Sequence, residues 1–277
     1  MSRRLPWALL GVLVLAQICY PLTGGGTRAA LTVATVVLGY LLSVGHALLS
    51  RGTRSALALV AVATGGGFAI EALGVATGFP FGSYDYSGEL GPKLAGVPLI
   101  IPLAWTWMAW PAWLTAVRLT ASRPARIALA ALGLAAWDLF LDPQMVAEGY
   151  WVWRDATPAL PGLPGIPVSN YLGWLLFAVL LMSALRPLAG PAVDRVDRRD
   201  APMFALYLWT YASSVLAHAV FLRLPASAVW GAAGMAVAAV PLALVLWRDR
   251  RAGDDRPTAD PARSTDAPAG SAADAPA

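Results

Sequence analysis

The 277-residue chain holds one cysteine and two histidines, and only 13% of its residues are charged. The single thiol, Cys19, cannot close an internal disulfide, and there is no CxxC or Cys/His cluster to hold a zinc ion. A soluble domain carries about 25% charged residues and 45–50% apolar ones. Here 58% are hydrophobic and the mean hydropathy is +0.61. As readings of the whole chain, this excludes a soluble α/β enzyme, a disordered polypeptide and a secreted disulfide scaffold. Lysine is also nearly absent: of 20 basic residues only Lys93 is not arginine. With heavy Ala, Gly and Pro usage, that bias reflects genome composition, and a net charge of +4 does not indicate a nucleic-acid partner.

What is abundant is apolar sequence in long runs. A helix crossing a hydrocarbon core of about 30 Å needs roughly 20 mostly apolar residues. Eight segments qualify: 5–22, 29–49, 55–75, 95–117, 125–142, 167–185, 202–222 and 227–247. The first resembles a signal peptide in its Arg3-Arg4 start but lacks a small-x-small cleavage site, so it reads as a retained helix. With a cytoplasmic N-terminus, 16 basic residues fall on inner segments and four (Arg28, Lys93, Arg154, Arg223) on outer ones. The positive-inside rule then favours an even span count with both termini in the cytoplasm. The expected fold is an all-α, polytopic bundle of about eight spans in the cell membrane. It comprises a helical domain over 1–247 and a disordered Asp/Pro/Ala/Arg-rich tail over 248–277. Two long linkers rich in aromatics, Gly and Pro, 76–94 and 143–166, fall on the outer side. No internal repeat is visible.

Ionisable groups inside spans are costly and mark function by default. They are Glu71, Asp138, Asp142, His46 and His218. At 1.5 Å per residue, Glu71, Asp138, Asp142, His218 and the amide Asn170 share one layer roughly 5–8 Å below the outer surface. His46 lies near the inner end and reads as structural. Asp138 and Asp142 are four apart and project from one helical face. Two carboxyls so close in low dielectric cannot both ionise cheaply, so one is expected to keep its proton. Such a pair suits acid catalysis. The plainer alternative is that Asp142 caps the Asp-Pro turn while Asp138 bonds a neighbouring helix. Glu71 is a second acid, a partner for His218, or a structural group beside the Gly-rich stretch Gly65–Gly67 and Gly74.

Several of the 12 tryptophans suit interfacial belts or helix packing, including Trp7, Trp110, Trp113, Trp209, Trp230 and Trp247. Tyr150, Trp151 and Trp153 follow the acid pair directly. Their ring faces can stabilise a nearby cation by about 0.5–2 kcal/mol each, or they can lie flat on the bilayer interface.

Three blocks together resemble the membrane carotenoid hydratases, a family of γ-carotene 1′-hydroxylases and bisanhydrobacterioruberin hydratases. The first is TGFPFGSYDY at 77–86, continued by LGPKLAGVP at 90–98 and IPLAW at 101–105. The second is WDLFLDPQM at 137–145 with EGYWVW at 148–153, and the third is GIPVSNYLGW at 165–174. The resemblance covers about residues 65–180. Its linker Arg154–Pro164 is richer in proline than the family pattern, which bears on substrate range.

The resemblance implies cofactor-independent, metal-free addition of water to the terminal C1=C2 bond of an acyclic carotenoid end group, giving a tertiary alcohol. The reaction is that of a hydro-lyase. Protonation of C2 gives a tertiary cation at C1, which water captures. Asp138 or Asp142 is the expected donor, and the other, with Glu71 or His218, orients the water. Tyr150, Trp151 and Trp153 cover the cation and Asn170 holds water. Tyr84, Tyr86 and Trp174, which lie within the resembling blocks, complete the candidate substrate contacts. No nucleotide loop, haem motif or His-rich di-iron cluster is present, in keeping with a reaction without redox. Partners implied are the carotenoid, water, the bilayer and other membrane enzymes of the same pathway. Two rivals remain: a carotenoid cyclase, which quenches the cation internally, and a non-enzymatic proton-linked transporter, which requires acids spread through the membrane thickness.

Overall fold

In the computed structural model, which describes residues 4–254, the long apolar runs fold into helices connected by short turns and two elaborate loops. The helices are α1 (Leu5–Cys19), α2 (Gly25–Arg51), α3 (Thr53–Leu59), α4 (Gly66–Thr77), α5 (Ile101–Leu119), α6 (Arg123–Ala135), α7 (Asp138–Ala147), α8 (Val168–Ala189), α9 (Ala201–Leu216) and α10 (Pro225–Asp254). Two wider π-type turns, Val60–Gly65 and Ala217–Phe221, join α3 to α4 and extend α9. Prolines stand at the first turns of α1, α5, α6 and α9, where a missing N–H costs nothing.

Among the described residues, seven helical rods are long and apolar enough to cross a membrane. Their outward faces carry large apolar side chains, for example Leu15, Leu57, Leu172, Leu180 and Val229, each more than half exposed. In water such a surface would be an aggregation hazard; in lipid it is the solvent-facing side. The eighth rod, α5, is the centre of the bundle. At 19 residues it spans about 28 Å. It is buried along almost its whole length, and its Trp, Pro and Thr content lowers its hydropathy. The chain is therefore an all-α polytopic membrane protein. The Arg-rich segments gather at one end of the bundle, as the tie of Arg118 to Asp249 and the approach of Pro6 and Trp7 to His46 and Arg199 show.

Packing around α5 explains its composition. From α2, Thr32, Thr35, Val36, Gly39, Ser43, His46 and Ser50 form a buried seam of mostly small side chains, the kind of surface that lets helices approach in lipid. A Cβ on Gly39 would fall 2.5 Å from the Trp107 ring, so only glycine fits there. Ser43 Oγ donates to the Trp107 carbonyl at 2.8 Å. At the Arg-rich end, His46 Nε2 meets the Arg199 carbonyl at 2.8 Å and its Nδ1 accepts from Trp110 Nε1 at 3.0 Å. Arg51 clasps Asp200 at 2.8 and 2.9 Å. His46 thus ties α2 and α5 to the 190–200 loop, a structural task. Trp110 and Trp113 are fully buried packing residues, whereas Trp7 and Trp247 are half exposed.

Two expected boundaries move. The fifth span does not end at residue 142. It breaks at Ala136–Trp137, restarts as α7 and runs to Ala147 through Pro143. Asp142 therefore lies five residues, about 7 Å of helix axis, before the end of α7. The last helix continues past Trp247 to Asp254, and residues 255–277 of the expected tail lie outside the described residues.

Candidate active site

At the end opposite the Arg-rich loops, the two long linkers interlock. Strand β1 (Tyr84–Tyr86) pairs antiparallel with a strand of the later linker, Trp151–Trp153, which we number β4. Between them in sequence, β2 (Lys93–Leu94) and β3 (Val97–Pro98) form a small hairpin. Cross-strand partners are Tyr84 with Trp153, Asp85 with Val152 and Tyr86 with Trp151. Side chains alternate along a strand. The four rings therefore turn inward, while Asp85 and Val152 turn out. Arg154 grips Asp85 on the outer surface at 2.6 and 2.7 Å, and its guanidinium holds that carboxyl below the usual range. The ring contacts are close: Tyr84–Trp153 centroids lie 5.6 Å apart and Tyr86–Trp151 5.5 Å.

This aromatic roof closes a small cleft of about 40 Å³. Its walls come from α2, α4, α5, α7 and α8. Glu71, Tyr84, Tyr86, Asp142, Trp151, Trp153, Asn170 and Trp174 all line it, together with apolar residues such as Leu90, Ile101 and Leu141. Trp174 stacks on Trp105 with centroids 3.7 Å apart.

Two carboxyl centres face this space. Glu71, buried on α4, accepts from Tyr84 Oη at 2.7 Å, Tyr86 Oη at 2.9 Å and Trp105 Nε1 at 3.0 Å. Burial, and next the Glu71 charge, push both phenols above the ordinary tyrosine range, so they stay donors. The second centre is the pair on α7. Asn170 Nδ2 donates to Asp138 Oδ2 at 2.8 Å and also to Asp142 Oδ2, while Trp151 Nε1 donates to Asp142 Oδ1 at 3.1 Å. Asp138 Oδ1 is buried and has no hydrogen-bond partner among the described residues. Asp142 reaches the cleft; Asp138, completely buried, sits behind it. Asp142 is inside a continuous helix, so the capping alternative does not describe it.

Two expectations are corrected. His218 does not reach Glu71 or the aspartates. It lies in the π-type turn after α9, 2.8 Å from Ser227 Oγ and 3.2 Å from Gln144 Oε1, edge-on to Phe140. Equal depth did not mean equal azimuth around the bundle. Tyr150 is buried but outside the cleft lining, because β4 begins one residue later and the alternation points Tyr150 elsewhere. Asn170 lines the cleft and bridges the acids through its amide nitrogen.

Sequence reasoning passed over Trp105 as the third donor to Glu71. Its only signal was its place at the end of the IPLAW stretch. The strand pairing had a clearer one: Tyr-Asp-Tyr and Trp-Val-Trp both alternate with period two.

These features define an integral membrane protein with buried carboxyl groups facing an aromatic cleft near one end of a helical bundle. The sequence profile of the family described as carotenoid biosynthesis protein matches residues 31–241, and the chain belongs to that family. A bisanhydrobacterioruberin hydratase of Haloarcula japonica is 39% identical over 136 residues, covering 46% of this chain and 44% of that protein. The chain thus matches less than half the length of that relative. No solved structure matches the chain.

Proposed function

We propose that this protein adds water to the terminal C1=C2 bond of an acyclic carotenoid end group, giving a tertiary alcohol. The observation that carries the reading is Asp142: a carboxyl that shares an amide donor with Asp138 and opens onto an aromatic, otherwise apolar cleft. An isolated trisubstituted alkene is a weak base, so its protonation needs a strong acid held dry and close. In this scheme a proton carried by the pair passes from Asp142 to C2. The electron pair of the double bond forms the new C–H bond, and C1 becomes a tertiary cation. The doubly ionised pair and the faces of Trp151, Trp153 and Tyr86 stabilise that charge where it develops. Water attacks C1, and its surplus proton returns to the pair. No cofactor enters the scheme.

Glu71 takes a different part. With both oxygens engaged by three donors, it is a fixed anion that positions Tyr84 and Tyr86 and adds to the negative potential. The cleft's apolar and aromatic lining suits the end of a long polyene, whose remainder lies along the bilayer. By the positive-inside rule, the Arg-rich end faces the cytoplasm and the cleft opens near the outer leaflet.

The test is expression in a lycopene-producing host followed by mass analysis of the extracted pigment. Hydration adds the mass of one water per end group. A product isomeric with lycopene identifies a cyclase, and unchanged pigment rejects both.

A further inference from the structure

A second cavity, of about 100 Å³, lies beside the first between α1, α2, α5, α7 and α9. Thr32, Val36, Leu141 and Met145 line both spaces and form the partition between them. Its walls hold three buried polar atoms that complete no hydrogen bond of normal geometry: Trp107 Nε1, Thr210 Oγ1 and Tyr20 Oη. The contrast within α5 is sharp. The indole N–H groups of Trp105, Trp110 and Trp113 meet Glu71, His46 and the Val193 carbonyl. Among the tryptophans of α5 so compared, only Trp107, which lines this cavity, has an N–H without a partner among the described residues.

We infer that this second cavity is a water compartment and that it supplies the water consumed in the first. Native interiors rarely leave buried donors and hydroxyls unpaired. Water both donates and accepts, and buried waters settle where several such groups converge. An acyl chain or polyene in this space would leave all three groups unpaired. The link to the acid site is the shared partition. Met145 is unbranched and repacks readily, and Thr32, whose hydroxyl donates to the Arg28 carbonyl at 3.0 Å, keeps its lone pairs for a passing water. The supply role rests on the hydration reading above; the presence of water does not.

The first arm of the test therefore does not depend on activity. The full chain in lipid nanodiscs is exposed to a brief synchrotron X-ray pulse in water enriched in oxygen-18. Bound water is radiolysed in place and labels the residues that it touches. Trp107 and Tyr20 are expected to take up label at least tenfold faster than Trp110 and Tyr207, which are as well buried but hydrogen-bonded to protein. Equal rates overturn the proposal.

The second arm tests supply, with catalysis run in heavy water. A cation not captured by water loses a proton from C2 and returns as alkene carrying deuterium. In the double variant Trp107→Phe, Thr210→Val, the ratio of deuterated alkene to alcohol is expected to rise at least fivefold. An unchanged ratio, or a parallel fall of both products, overturns the supply role. If Trp107 and Tyr20 take up label while no acyclic carotenoid is hydrated, the reading of function fails and the water site stands.

Discussion

Replacing Asp142 by asparagine preserves the side chain's shape and removes its acidity. The structure indicates what else changes. Trp151 Nε1 still finds an oxygen acceptor at residue 142. The new amide nitrogen, however, faces the Asn170 amide nitrogen, donor against donor, until Asn170 flips. After the flip the amide of residue 142 donates to Asn170 Oδ1 while Asp138 Oδ2 gives up its Asn170 donor, so one buried group loses a partner. That limits the stability loss to about 1–3 kcal/mol. The catalytic loss is larger. General acid catalysis contributes about 10²–10⁴ in rate, or roughly 2.7–5.4 kcal/mol of barrier. Alcohol formation by Asp142→Asn should therefore fall at least a hundredfold while the variant still elutes as a folded protein in detergent. The assay is pigment mass analysis normalised to folded protein in the membrane fraction. Activity within about threefold of the parent would refute the assignment of Asp142 as proton donor.

Gly74→Ala should weaken the site from a distance. Its Cβ would lie 2.8 Å from both the Phe81 ring and Tyr84 Oη, pushing Tyr84 off Glu71; overpacking of this kind costs about 1–3 kcal/mol, readable as a lower thermal midpoint. His218→Gln should retain activity within about tenfold, because His218 contacts Ser227 and Gln144 and not the acids; a loss as deep as that of Asp142→Asn would return His218 to the mechanism. Asp197 accepts from Arg199, which holds its carboxyl at about 2. Being depressed from an unfolded value of about 4, this group adds stability above pH 4 that is lost as pH falls towards 2. Asp197→Asn should thus lower the thermal midpoint slightly at neutral pH, by an amount worth under about 1 kcal/mol, with the two proteins converging near pH 2.

The number and position of the helices were legible because lipid demands long apolar runs, and the Arg asymmetry supported an even number of them. The acids stood out for the same reason: a buried carboxyl in a span is conspicuous. Assembly around the bundle was harder to read. His218 matches the acids in depth, but no sequence rule gives the angular position of one helix relative to another. The end of the fifth span was misplaced because Pro143 reads as a stop, whereas α7 carries it internally and restarts from a break at Ala136–Trp137. The roof's aromatics stood out as candidate contacts, but the strand pairing that holds them together did not. Its two three-residue strands come from linkers more than 60 residues apart, and only their alternating aromatics hinted at a shared face.

That roof has few ways of being slightly wrong. Sliding one ribbon past the other by a single residue would swing that ribbon's two rings outwards and aim its middle residue, Asp85 or Val152, at the cleft. Single-residue insertions or deletions within these two short segments should therefore be more disruptive than most substitutions there. The Asp85–Arg154 clasp, lying outside the chemistry, works as a latch that selects the correct setting.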